Sequence, residues 1–173
     1  MSGRRGARVV ATVVAAVSAG ILAACSNGTS VTTPFVTTAP VLEHGSVYEV
    51  RTGPIKGIGT VLVNGRGITL YMFANDVRGQ PSRCHNICAI QWPPLVLPPG
   101  RTTAVAGPGI NPALLGTAPR SDGTTQVTYN GWPLYLWPPD RAPGMATGQA
   151  LTNAGGLWYV VSPAGKPIVT PAA

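Results

Sequence analysis

The chain has 173 residues and a formal net charge of +7, with 12 Lys and Arg against 5 Asp and Glu. Its basic residues beyond the first segment, Arg51, Lys56, Arg66, Arg78, Arg83, Arg101, Arg120, Arg141 and Lys166, stand singly without a run or a basic helix. That pattern excludes nucleic acid as a partner and suits a mildly basic surface near an anionic membrane.

Arg4, Arg5 and Arg8 precede an apolar run from Val9 to Ala24 that contains no acidic residue. A charged start followed by an apolar run predicts a secretory signal peptide over residues 1–24. The run is short of the roughly 20 residues a bilayer span needs, and it ends at a cysteine instead of a basic cluster. Leu22-Ala23-Ala24-Cys25 resembles the lipobox of bacterial lipoproteins. The resemblance implies that Cys25 becomes the lipidated N-terminus, anchoring the protein to the outer face of the cell membrane. Several acyl chains would hold it stably, because each buried methylene contributes about 0.8 kcal/mol and one chain alone is marginal. Arg4-Arg5 suggests twin-arginine export, but Gly6-Ala7 lacks the apolar residues expected there, so the route stays open.

With Cys25 spent on lipid, Cys84 and Cys88 are left as an even pair in an oxidising compartment, where a disulfide is the default. Closing so small a loop stabilises by only about 2 kcal/mol, enough to pin a turn.

Residues 25–46 are rich in Ser, Thr and Pro without a helical or two-residue period, and read as a tether. Residues 47–173 suit one domain of short apolar runs broken by Gly and Pro. Two hairpins stand out: Gly59–Val63 and Ile68–Phe73 around Asn64-Gly65-Arg66-Gly67, and Thr124–Tyr129 and Trp132–Trp137 around Asn130-Gly131. Asn-Gly supplies positive φ at low cost and the flanks are β-branched or aromatic. Tyr71/Phe73 and Tyr135/Trp137 each lie at i, i+2, so each pair projects from one face of its strand, with the leucines and Met72 on the other.

The hairpins belong to a longer repetition. LYMFAND at 70–76 returns as LYLWPPD at 134–140, and Trp92 returns as Trp158. An internal duplication follows, with repeats at about 58–100 and 122–165. The repeats differ where the Cys84/Cys88 segment of the first is replaced by Gly148 to Gly156. Helix is limited to about two turns over Arg83–Ile90, ended by Pro93-Pro94, and one turn over Asn111–Leu115 with Asn as cap and Pro first. The expected fold is mainly β, antiparallel strands and hairpins from two internal repeats with one or two short helices; sandwich and barrel stay open.

These residues resemble a family of bacterial lipoproteins with a repeated Tyr-x-(Phe/Trp/Tyr)-x-x-Asp motif, also called secreted repeats of unknown function. The motif stands here as Tyr71, Phe73, Asp76 and as Tyr135, Trp137, Asp140. The likeness extends to Cys84…Cys88-Ala89…Trp92-Pro93-Pro94-Leu95 and to Tyr129-Asn130-Gly131. It implies an exported repeat-containing lipoprotein and assigns no reaction.

Three functional readings compete. In the first, each Asp closes a turn through backbone N–H groups with Arg78 or Arg141 nearby, the aromatics are core, and the domain binds an envelope protein or glycan. Trp132, Trp137, Trp158 and Tyr159 are then candidates for a glycan-binding face. In the second, Cys84, His85 and Cys88 handle thiol redox chemistry or a soft ion such as Cu(I), with Met72 or Met145 adding a thioether. In the third, Asp76 and Asp140 act as a hydrolytic carboxylate pair, which requires the two carboxyls within about 10 Å. No nucleophile elbow, phosphate loop or zinc-protease motif is present. The sequence favours the binding module, with no catalytic residue, cofactor or resident metal assigned.

Overall fold

A computed structural model describes residues 45–169; the expected signal peptide, Cys25 and nearly all of the expected tether lie outside the described residues. The described chain is mainly β, as the sequence predicts. In order it forms β1 (Glu49–Ile55), β2 (Gly59–Asn64), β3 (Tyr71–Phe73), α1 (Ile87–Gln91), β4 (Val105–Ala106), β5 (Leu115–Pro119), β6 (Thr125–Tyr129), β7 (Trp132–Pro133), β8 (Leu151–Asn153) and β9 (Gly156–Val160). Three small sheets result, ordered β2-β1-β4, β3-β9-β8 and β5-β6-β7, and only the β1–β4 pairing is parallel.

The second hairpin forms as expected: Asn130 and Gly131 take φ of 50° and 77°, and β6 pairs with β7 across them. The first departs from expectation. Its left-handed residue is Gly67, φ 83°, while the Asn64 side chain accepts from the N–H groups of Arg66 and Ile68, both at 3.0 Å. This longer turn is organised by an Asn side chain folding back on the backbone. The main partner of β2 is β1, which the sequence had not marked as a strand.

Helix α1 is one turn, shorter and later than the expected Arg83–Ile90. Asp76 takes the N–H of Arg83 at 2.7 Å and Ser82 Oγ takes that of Cys84 at 2.9 Å, so these donors are held in a loop. Asn86 then turns the chain at φ 52° before Ile87. The second short element matches expectation as a 3-10 turn, Pro112–Leu114, capped by the Asn111 side chain on the Ala113 N–H at 3.0 Å.

The repeats exchange strands. From the first repeat, β3 pairs with the Trp158 strand β9 of the second. From the second, Leu134–Leu136 runs against Pro93–Leu95 of the first, with Leu95 N–H to Leu134 O and Leu136 N–H to Pro93 O, both 2.9 Å. Between them Tyr71 and Tyr135 exchange both backbone hydrogen bonds at 2.9 Å, which relates the repeats by an approximate twofold. Alternation then sends Leu70, Met72 and Leu134 into one core cluster, with Val50, Leu62 and Tyr129. It sends Tyr71, Phe73 and Tyr135 into the other, with Trp92 and Trp158.

Candidate functional site

The motif residues form two reciprocal locks. Tyr71 Oη donates to Asp140 Oδ2 at 2.5 Å, and Tyr135 Oη donates to Asp76 Oδ2 at 2.6 Å, so each tyrosine reaches the aspartate of the other repeat. The second carboxylate oxygen closes its own loop. Asp76 Oδ1 accepts from Arg83 N–H at 2.7 Å, and Asp140 Oδ1 accepts from the N–H and hydroxyl of Thr147 at 2.9 and 2.6 Å. The turn role read from sequence accounts for one oxygen of each aspartate. Arg78 is not its partner; Arg78 bonds to Asn130.

All four groups are buried. Burial raises both tyrosine hydroxyls well above their ordinary range, and the charged, hydrogen-bonded carboxylate beside each raises them further. Asp76 is raised above 3.8 by burial, opposed by the Tyr135 hydroxyl, the Arg83 N–H and the charges of Arg120 and Arg83. Each phenol is therefore a fixed donor to an internal carboxylate. None of the main hollows on the described surface is lined by Tyr71, Asp76, Tyr135 or Asp140.

Between the locks the third motif residues complete a column of four rings. Phe73 stacks on Trp158 at 4.4 Å, Trp158 on Trp92 at 3.9 Å with planes 3° apart, and Trp92 on Trp137 at 4.2 Å. Tyr71 meets Trp92 edge-on at 5.3 Å and Tyr135 meets Trp158 at 5.1 Å, so the column also obeys the twofold. Asn153 satisfies both central indoles, accepting from Trp92 Nε1 through its side chain and from Trp158 Nε1 through its carbonyl, each at 3.0 Å. This divides the candidate glycan face. Trp137 and Trp158 belong to the column, whereas Trp132 and Tyr159 pack against the other core cluster.

The Cys–His–Cys segment lies beside one lock. The sulfurs of Cys84 and Cys88 are at disulfide distance with Cα atoms 5.2 Å apart. His85 is exposed, its Nδ1 3.4 Å from Ser121 Oγ. Met72 is in the core cluster opposite Cys84, and Met145 meets Thr69 through its carbonyl. Among the described residues no three His, Cys, Asp or Glu side chains converge as metal ligands.

Sequence reasoning missed the residues that seat this segment. Arg120, buried, donates from Nη2 to Cys84 O at 2.9 Å and from Nη1 to Gln126 Oε1 at 2.7 Å, and Gln126 donates to Leu134 O at 2.8 Å. Ser82 Oγ stands 2.6 Å from the Tyr135 hydroxyl. Gln126 alone left a trace in the sequence, as a polar residue preceding the inward Val127 of an otherwise β-branched strand.

The sequence model of a family described as a secreted repeat of unknown function matches the chain twice, over residues 55–96 and 116–162. No curated protein and no solved structure matches it.

Proposed function

We propose that this chain, which belongs to the family of secreted repeats of unknown function, is held on the outer face of the cell membrane by lipid on Cys25 and works there as a non-catalytic binding module for an envelope protein or glycan. The observation that carries this reading is the reciprocal burial of the motif. Both tyrosines and both aspartates are consumed in holding the repeats together, which leaves the outer loops and edges for contact. Secreted repeats require export, and the lipobox supplies the anchor.

Two measurements test the two halves of the proposal. Cys25→Ala should move the protein from the membrane fraction to the medium; retention in the membrane would overturn anchoring. Photo-crosslinking residues placed singly over the exposed surface in living cells should give discrete adducts at clustered positions. A folded, exported protein that gives none anywhere is not a binding module.

A further inference from the structure

The outer edge of β1 is covered by the chain itself. Val105 N–H donates to Tyr48 O at 3.4 Å, Gly107 N–H to Val50 O at 2.8 Å, and Thr52 N–H to Pro108 O at 3.0 Å, as β4 runs parallel to β1. The matching strand in the second half of the domain is β5. Thr52 lies opposite Leu62, whose N–H goes to Val161 O; Thr117 lies opposite Val127, whose N–H goes to Leu95 O. Thr117 is therefore the counterpart of Thr52.

At β5 no described segment supplies that cover, and the strand ends its sheet. Arg120 N–H to Thr124 O and Asn130 N–H to Leu114 O bracket its pairing with β6. Alternation then commits Gly116 and Ala118 to β6 and turns outward the N–H and C=O of Thr117 with the carbonyls of Leu115 and Pro119. Two hollows open along this edge, about 650 Å³ and about 240 Å³, and Leu115, Gly116 and Thr117 line both. Arg78 stands in the larger, fixed by Nε–H to Asn130 O at 2.7 Å and by Nη2 to the Asn130 side chain.

The covered edge indicates what the bare one accepts. Gly107 has to be glycine, because a Cβ there would stand 2.3 Å from Glu49 Oε1 and 2.9 Å from Arg51 Cβ. The counterparts of Glu49 and Arg51 are Leu114 and Gly116. Gly116 presents no side chain, so a partner residue in the Gly107 position has room for one, in the hollow that Arg78 shares. Pro119 has no N–H, which leaves Thr117 as the sole outward donor of the strand and disfavours long antiparallel pairing with a second copy.

We propose that the β5 edge binds an extended segment of a partner polypeptide, parallel to β5, small-residued where it crosses the strand and carrying an acidic side chain opposite Gly116 for Arg78. Main-chain bonds to Thr117 and Leu115 supply affinity, and the hollows supply specificity. This rests on the binding-module reading and names its surface.

The probes are the peptide TAVAGPGI, copied from residues 103–110, and TAVAEPGI, with glutamate in the Gly107 place. Added to the full chain in detergent micelles, they should slow amide hydrogen exchange at Thr117 and leave the covered Thr52 unchanged. The glutamate peptide should bind several-fold more tightly, an advantage that Arg78→Ala removes. Thr117→Pro should abolish binding and Thr117→Val should keep it, with thermal unfolding establishing that both variants fold. Exchange at Thr117 that neither peptide slows, or that is already slow without peptide, overturns the proposal. If the peptides fail while surface crosslinks in cells persist, the edge assignment falls alone; if both fail, the module reading falls with it.

Discussion

The two repeats agree in the residues that build the locks and the column and differ in the loops and edges around them. At the contact, each contributes one tyrosine, one aspartate and one central tryptophan, and exchange of strands places every one of them against the other repeat. Around it, the first half of the domain carries a cysteine-closed turn and a covered β1 edge, whereas the second half carries the β8–β9 hairpin and a bare β5 edge. Gly148 and Gly156 show how closely the second loop packs on the first repeat. A Cβ on Gly148 would meet Trp92 at 2.7 Å, and one on Gly156 would meet Phe73 at 2.7 Å, so the second loop crosses the aromatic column where only glycine fits.

The largest effect should come from the column itself. Trp92→Ala and Trp158→Ala each remove a fully buried indole and should destabilise by about 3–5 kcal/mol in chemical denaturation. The twofold predicts similar losses. A loss confined to one of them would mean that the repeats do not share one core. The locks come next: Tyr71→Phe and Tyr135→Phe each remove a hydrogen bond to a buried carboxylate, and each should cost about 1.5–3 kcal/mol. Tyr135→Phe also strips Ser82 of a neighbour, so a larger loss there would sharpen the difference between the two locks.

The strands of the motif were legible because alternation of aromatic and aliphatic residues has period two, and Tyr71/Phe73 and Leu70/Met72 do separate into two cores. The exchange was not legible. Tyr71 could bond Asp76 or Asp140 with the same residue types, and no local pattern distinguishes a contact within a repeat from one between repeats. Strand β1 was missed because Arg51, Thr52, Gly53 and Pro54 interrupt its apolar pattern, although Val50 and Ile55 are buried. The helix boundary failed at Arg83 and Cys84 because the side chains that capture their N–H groups, Asp76 and Ser82, act from outside the helix.

The turn that only the first repeat has should matter less than the shared core. Cys84→Ser with Cys88→Ser should cost about 2 kcal/mol, the entropy of so small a loop. Loss well beyond that would show the bridge holding the Arg120 network as well as the turn. A free-thiol count on the native protein is the companion measurement. Two reactive thiols would remove the bridge from the account and favour the thiol or copper reading of Cys84, His85 and Cys88.

The smallest expected effect separates the two ends of the Arg120 network by sign. Asp76 holds its proton to higher pH when folded than the unfolded value of 3.8. As pH rises past that value the unfolded chain releases the proton first, so the folded state binds more protons in the window and its stability falls with rising pH. Asp122, exposed and hydrogen-bonded by the Thr124 hydroxyl and N–H and then by Arg120, is lowered to about 2. Its contribution is present above the unfolded value and is lost as pH falls toward 2. Measured against Asp76→Asn, the wild-type advantage should shrink as pH climbs above about 4. Measured against Asp122→Asn, it should shrink as pH drops from about 4 toward 2. Two slopes of the same sign would mean that the Tyr135 hydroxyl, the Arg83 N–H and the charges of Arg120 and Arg83 outweigh the burial of Asp76 in the folded protein.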